Sequence, residues 1–129
     1  MRLITLPTYT DERGSLTVME KEPFEVKRVF WITGATRKRG QHSHKEGEQL
    51  IVAVHGSFMA YVYIDSNSWY YKLSSPEEGL YLPPEAWIEL YDFSEDAVCL
   101  VLCSHHYDEE DIERGNSMDE KEGVTSCES

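Results

Sequence analysis

Two histidines, His42 and His44, are separated by one residue in the segment GQHSHK that begins at Gly40. On an extended segment they point to the same side, with Cα atoms about 6.5 Å apart, so both imidazoles can enter one cavity. A neutral imidazole, with a reference pKa of about 6.5, can accept and return a proton near neutral pH, and it is also a common metal ligand. The spacing leaves three interpretations open: a metal site, a proton-transferring pair, or polar groups that fill a pocket.

The segments that must position this pair have the composition of β-strands. They are rich in β-branched and aromatic residues and are separated by turn-forming residues. The predicted strands are Ser15–Met19, Lys27–Thr33, Gln49–His55, Ser57–Asp65, Trp69–Leu73 and Ala97–Cys103. Only Tyr107–Arg114 has a spacing that permits a helix of more than two turns. Many short strands favour an all-β sandwich or barrel over a parallel α/β fold.

A tight turn at Gly56 predicts a hairpin of two of these strands. In the second strand of the hairpin, Phe58, Ala60, Val62 and Ile64 share one face, and the other face is also largely apolar or aromatic. A strand covered on both sides fits a barrel wall in a dimer.

Length and charge limit the function. The 129 residues fit one domain, which we predict at residues 1–114, followed by an acidic, disordered tail at residues 115–129. The net charge of −12 argues against nucleic-acid binding, and we find no membrane span or export signal. Cys99 and Cys103 lie too far apart on a strand for a disulfide, which indicates buried thiols and a cytoplasmic location.

The chain resembles the cupin superfamily, whose first motif has the form G-x5-H-x-H-x3,4-E-x6-G. His42 and His44 open this motif and Gly56 closes it, which places Gln49 at the carboxylate position. The second motif resembles residues 79–91 and places Glu89 at the position of its histidine ligand. The resemblance therefore predicts no metal and no other cofactor. A metal site built from His42, His44 and Glu89, with Glu48, remains the alternative.

A narrower resemblance rests on sequence blocks that occur in one order. The blocks are Asp11–Leu16, Pro23–Val29, Arg39–Lys45, Gly56–Ser57, Gly79–Tyr81, the Trp87 segment, Asp92–Ser94 and Tyr107–Glu109. Together they resemble the small bacterial cupins that are 3,4-ketoisomerases of thymidine-diphosphate-linked 4-keto-6-deoxyglucose. That resemblance implies a jelly-roll fold, a metal-independent isomerase for the deoxyaminosugars of surface polysaccharides, and a homodimer that exchanges N-terminal strands.

The resemblance also implies roles for particular residues. His42 is the leading base and His44 polarises or protonates the sugar oxygens, although the reverse order is possible. The expected substrate-binding residues are Arg13, Arg39, Gln49, Trp31, Tyr81 and Trp87. Moving a ketone between adjacent carbons requires only proton transfers through an enediol or enediolate, which suits two imidazoles.

Three residues depart from the family's pattern. Phe30 and Trp31 stand where tyrosine is common, and Ile88 stands where a polar residue often follows the tryptophan. These departures leave the exact sugar and the C4 configuration of the product open. They also keep a second alternative, a cupin that binds a sugar nucleotide without catalysis.

Overall fold

The computed structural model describes residues 1–115, which form twelve β-strands and one short 3₁₀ helix. The strands are β1 (Arg2–Thr5), β2 (Thr8–Asp11), β3 (Gly14–Thr17), β4 (Arg28–Thr33), β5 (Arg39–His44), β6 (Gln49–His55), β7 (Phe58–Ile64), β8 (Asn67–Leu73), β9 (Glu78–Leu82), β10 (Trp87–Tyr91), β11 (Val98–Cys103) and β12 (Ile112–Arg114). No helix in this part of the chain is long and apolar enough to cross a membrane. All of the predicted tail except Gly115 lies outside the described residues.

Ten strands form two five-stranded antiparallel sheets. Sheet 1 has the order β1-β9-β6-β11-β4, sheet 2 has the order β12-β5-β10-β7-β8, and β2 and β3 form a separate hairpin. The main group of buried apolar side chains contains residues from both sheets, so the core lies between them. The all-β prediction is confirmed, with two facing sheets that strand pairing does not close into a barrel within residues 1–115.

All six predicted strands are present, with ends within two residues of the predicted ones. In β7, Phe58, Ala60 and Val62 share one face as predicted, and that face packs in the core, while Tyr61 on the opposite face packs against Tyr70 with ring centroids 5.1 Å apart. The other six strands carry glycine or charged residues, or are very short. Their pairing partners, rather than their own composition, determine their conformation.

The helix that the spacing of Tyr107–Arg114 permits does not form. Asp108 caps a 3₁₀ helix, Glu109–Asp111, by accepting a hydrogen bond from the backbone N–H of Glu110. The chain then continues as β12, which pairs with β5 so that Ile112 lies opposite His44 and Arg114 opposite His42. Long-range pairing with β5 therefore overrides the local helical pattern and brings this segment to the two histidines.

A bulge in β5 sets the direction of His42. The register between β10 and β5 shifts between Ile88, which lies opposite His42, and Glu89, which lies opposite Gly40. Gly40 and Gln41 both have positive φ, of 89° and 57°. A Cβ atom at Gly40 would lie 2.9 Å from the carbonyl oxygen of Ile88, so the bulge requires glycine there.

Candidate active site

The side chains of His42 and His44 meet between the sheets. Both residues are buried, with exposed fractions of 4% and 6%, and their ring centroids are 5.1 Å apart at an interplanar angle of 83°. His42 lies opposite Ile88, a core residue, which places the pair on the inner face of sheet 2. The two imidazoles therefore lie together on one side of β5, as their spacing predicts.

Both ring nitrogens of His44 have partners. Its Nδ1 lies 3.2 Å from Oδ2 of Asp111, and its Nε2 lies 3.2 Å from the amide nitrogen of Gln49. A carboxylate oxygen only accepts a hydrogen bond, so Nδ1 carries the proton, and the Gln49 amide then donates to the lone pair of Nε2. This tautomer makes Nε2 the basic nitrogen of His44.

Asp111 is itself fixed by the chain that follows β5. Its Oδ1 accepts a hydrogen bond of 2.8 Å from the backbone N–H of Glu46, and its carbonyl oxygen accepts one of 2.7 Å from Lys45. A carboxylate held in this way orients the imidazole of His44 and stabilises the imidazolium that forms when the ring takes a proton.

Burial keeps both imidazoles neutral. Burial, together with the neighbouring His42 and His105, lowers the pKa of His44 from 6.5 to about 4, against the opposing effect of Asp111. The pKa of His42 is also lowered, mainly by burial, with contributions from the charges of Arg114 and Arg28 and an opposing hydrogen bond to the backbone of Gly40. The pair is therefore in the proton-accepting form at neutral pH.

The low pKa of His44 makes the stability of the protein depend on pH. An unfolded histidine titrates near 6.5, whereas folded His44 titrates near 4, so the unfolded chain binds more protons between these values. The stabilisation is complete above about pH 6.5, and about 3 kcal/mol of it is lost as the pH falls toward 4. Urea denaturation between pH 4 and 8 should show this slope in the wild type and a shallower slope in His44→Asn. Equal slopes in the two proteins would contradict the low pKa.

Two arginines that the sequence analysis did not select lie near His42. The guanidinium of Arg28 lies over the ring of Phe30 at 4.6 Å and over that of Tyr107 at 5.2 Å. Arg114 donates hydrogen bonds to the carboxylate of Glu109, of 3.0 Å and 3.1 Å. The charges of both arginines act on His42, so they can stabilise negative charge that develops in this cavity. Arg28 lies within the matched block Pro23–Val29, and this position is the feature of the sequence from which it could have been selected as a site residue.

The cupin metal ligands proposed as an alternative do not come together. Glu89 lies on the face of β10 opposite to the core residue Ile88, where it accepts a hydrogen bond of 2.7 Å from Nε1 of Trp87 and lies 3.1 Å from Nζ of Lys38. Glu48 accepts a hydrogen bond of 2.7 Å from the hydroxyl of Tyr81. Within residues 1–115, the structure therefore does not assemble His42, His44 and Glu89 into one site.

Comparison with known proteins assigns the family. The family model FdtA (WxcM-like, C-terminal) matches residues 1–120. The chain belongs to the FdtA family. It is also 40% identical over 120 residues to a TDP-4-oxo-6-deoxy-alpha-D-glucose-3,4-oxoisomerase from Aneurinibacillus thermoaerophilus, covering 88% of this chain and 85% of that protein. The family assignment agrees with the resemblance found in the sequence.

Solved structures of similar proteins confirm the cupin fold of this FdtA-family chain. The 3,4-ketoisomerase QdtA from Thermoanaerobacterium thermosaccharolyticum, crystallised as a variant with TDP-4-keto-6-deoxyglucose, is 37% identical with a TM-score of 0.84, over 88% of this chain and 86% of that one. The TDP-fucose-3,4-ketoisomerase WlaRA from Campylobacter jejuni is 28% identical with the same TM-score, over 87% of each chain. The RmlC epimerase from Legionella pneumophila, at 16% identity and a TM-score of 0.74 over 91% of this chain and 73% of that one, shares the fold.

Of the substrate-binding residues predicted for this FdtA-family chain, Gln49 lies beside the histidines. Arg39 begins β5 and is half-buried, and its charge acts on the thiol of Cys99, whose pKa burial raises to about 12. Arg13 is exposed in the turn between β2 and β3 and pairs with Asp11 at 2.6 Å.

The three predicted aromatic residues lie outside the cavity between the sheets. Trp31 is 64% exposed on the outer face of sheet 1, because Phe30 and Ile32 occupy the inner positions of β4. Tyr81 packs on the outer face of the same sheet against Phe24, and Trp87 lies on the outer face of sheet 2. Within one chain, these side chains do not meet the histidines, and their role in substrate binding remains a prediction.

Proposed function

We propose that this protein converts a TDP-linked 4-keto-6-deoxyhexose, with TDP-4-keto-6-deoxyglucose as the first candidate, to its 3-keto isomer. The observation that carries the proposal is the pair of buried, neutral imidazoles in contact with each other, one of them oriented by a carboxylate, in a chain of the FdtA family. The substrate and the reaction follow the names of the similar proteins. Incubation with this sugar nucleotide and proton NMR test the proposal: the 3-keto isomer supports it, and unchanged substrate contradicts it.

The contacts favour His44 as the base, the reverse of the order that we prefer from the sequence. Asp111 fixes the proton on Nδ1 and stabilises the positive ring, so Nε2 is the basic nitrogen, and the substrate must displace the Gln49 amide that donates to its lone pair. In the proposed reaction, Nε2 removes the proton from C3 of the sugar, and the electrons of that bond form the enediolate with negative charge on the oxygen at C4. A proton is then delivered to C4, and the C3 hydroxyl gives up its proton as the new carbonyl forms.

His42 serves the oxygens of the sugar in this scheme. It lies at 5.1 Å from His44, ring centroid to centroid, so it reaches the carbon or oxygen next to the one that His44 contacts. A neutral imidazole can carry the proton of the C3 hydroxyl to the oxygen at C4. The amide of Gln49 and the guanidinium groups of Arg28 and Arg114 supply the positive field for the enediolate.

The proposed reaction moves protons and changes no overall oxidation state. It therefore needs no redox cofactor, and we keep the sequence prediction that the enzyme acts without a metal or another cofactor as part of the proposal. The two free, buried thiols, Cys99 and Cys103, support the proposed cytoplasmic location.

We also propose that the enzyme is a homodimer that exchanges N-terminal strands, as the resemblance implies. Trp31, Val29 and Val54 expose 64%, 45% and 43% of their surface on the outer face of sheet 1, and Tyr9 and Leu16 of the β2–β3 hairpin expose 66% and 61%. Such apolar exposure is typical of a surface that another chain covers. A second copy whose hairpin lies on this face would bury these residues, and it would bring Arg13 to the partner chain.

If this face forms the dimer interface, a negative charge in place of Trp31 should weaken dimerisation. Trp31→Glu should weaken dimerisation by at least about 2 kcal/mol, because a buried aromatic residue at an interface typically contributes that much. Tyr70→Glu, which changes an aromatic residue that is 59% exposed on sheet 2, is the matched control. Light scattering after gel filtration should show twice the chain mass for the wild type and the control. A wild-type monomer, or a Trp31→Glu dimer of wild-type affinity, would contradict the interface.

A further inference from the structure

Three potential metal ligands meet at the edge of the candidate active site. Oδ2 of Asp111 lies 3.2 Å from Nδ1 of His44 and 3.3 Å from Nε2 of His105, and the three atoms all lie within 4.8 Å of one another. In a tetrahedral zinc site with bonds of about 2.0 to 2.1 Å, neighbouring ligand atoms are about 3.3 Å apart. Two of the three separations therefore already have tetrahedral spacing. Two imidazoles and a carboxylate are also a donor set that zinc accepts.

The surrounding chain makes room for His105 and orients it. A Cβ atom at position 47 would lie only 1.8 Å from Cε1 of His105, so Gly47 leaves the space that the ring occupies. Oγ of Ser104 lies 3.5 Å from Nδ1 of His105, on the side of the ring away from Asp111. An outer partner at Nδ1 keeps the lone pair of Nε2 available for a metal ion.

A cavity connects this cluster to solvent. It has a volume of about 510 Å³, and its lining includes His105, Asp111 and the acidic residues Glu46 and Asp108. His44 does not line this cavity, so an ion that enters through it would meet His105 and Asp111 first. The acidic lining favours the approach of a cation.

We propose that His44, His105 and Asp111 bind a divalent transition-metal ion of the zinc type, and that the bound ion inhibits the enzyme. A metal on Nδ1 of His44 requires the proton of that nitrogen to move to Nε2, which then has no lone pair with which to remove a proton from the sugar. The ion therefore switches His44 from a base to a donor without entering the sugar cavity. The inhibition rests on the proposed function, whereas the binding of the metal does not.

Cobalt binding tests the site independently of catalysis. Chelator-treated wild-type protein titrated with Co²⁺ should bind one ion per cluster and give the strong visible absorption of a low-coordinate nitrogen and oxygen site. His105→Asn should weaken this binding by at least about 100-fold, because even loss of an outer-sphere partner costs 10- to 100-fold. His106→Asn, which changes the exposed neighbouring histidine, is the matched control and should bind as the wild type does. Absence of stoichiometric binding, or equal binding by His105→Asn, would overturn the site.

Zinc inhibition tests the second half of the proposal. The isomerisation rate of each variant with Zn²⁺ is divided by its own metal-free rate, so the effect of the substitution on the rate cancels. Zn²⁺ should abolish the isomerisation by the wild type and by His106→Asn at concentrations that leave His105→Asn active. Stimulation by Zn²⁺, or equal inhibition of His105→Asn, would overturn the inhibitory role. If the metal-free protein has no isomerase activity at all, the proposed function fails, and the cobalt result still decides the metal site.

Discussion

His44→Asn should reduce kcat for the isomerisation of TDP-4-keto-6-deoxyglucose by about 10²- to 10⁴-fold, the usual contribution of a positioned general base. Asparagine keeps a polar side chain at this position but offers no basic nitrogen to the C3 proton. KM should change much less, because the nitrogen acts on the reacting carbon and the sugar nucleotide has many other groups to bind. Steady-state kinetics followed by proton NMR provide both constants.

His55→Asn is the matched control for this substitution. His55 ends β6, is 65% exposed and pairs with Asp96 at 3.1 Å, away from the cavity. Its loss should leave kcat unchanged. A kcat of His44→Asn within about tenfold of the wild type would exclude His44 as the base, since a general base contributes about 10²-fold or more.

His42→Asn should lower the overall rate by about 10²-fold and leave the first proton transfer in place. With His44 and Asp111 intact, the C3 proton can still be removed, so substrate incubated in D₂O should gain deuterium at C3 even where little 3-keto product forms. His44→Asn should lose this exchange. The two variants therefore separate removal of the C3 proton from the transfers that involve the oxygens.

The opposite pattern has an equally clear meaning. If His42→Asn abolishes exchange at C3 and His44→Asn retains it, then His42 is the base, which is the assignment that we prefer from the sequence. The pairing of His44 with Asp111 would then have a structural rather than a catalytic role.

The sequence predicts the histidine pair well because its signal is local. Two side chains that are two residues apart on an extended segment point to the same side. The cupin motif identifies this segment as a strand of the core. The neutral amide at Gln49 could also be located by counting from Gly56. These predictions depend on spacing along the chain, which the fold preserves.

The other partners of the pair, Asp111 and Arg114, could not be predicted because they come from a distant segment. Asp111 reaches His44 only because β12 pairs with β5 instead of continuing a helix, and 67 residues separate the two in sequence. The same pairing places Arg114 opposite His42. The acidic segment that ends in β12 has a helical spacing, and it forms a strand only because it pairs with β5.

The placement of Trp31, Tyr81 and Trp87 shows a second limit. The sequence identifies them as aromatic residues in matched blocks, but the alternation of side chains along β4, β9 and β10 turns them to the outer faces of the sheets. In a single chain they cannot stack on a sugar held between the histidines. A family resemblance predicts which residue type stands at a position. The face of the sheet to which that side chain points depends on the register of the strand.

Deuterium incorporation by the metal-free protein tests the central claim most directly. The protein is treated with a chelator, its metal content is verified, and TDP-4-keto-6-deoxyglucose is added in D₂O while proton NMR follows C3 and C4. We predict formation of the 3-keto isomer with deuterium at C4, and loss of the C3 proton signal from the remaining substrate. A protein that leaves both positions unchanged, or that acts only after a metal ion is restored, would contradict proton transfer by the two imidazoles alone.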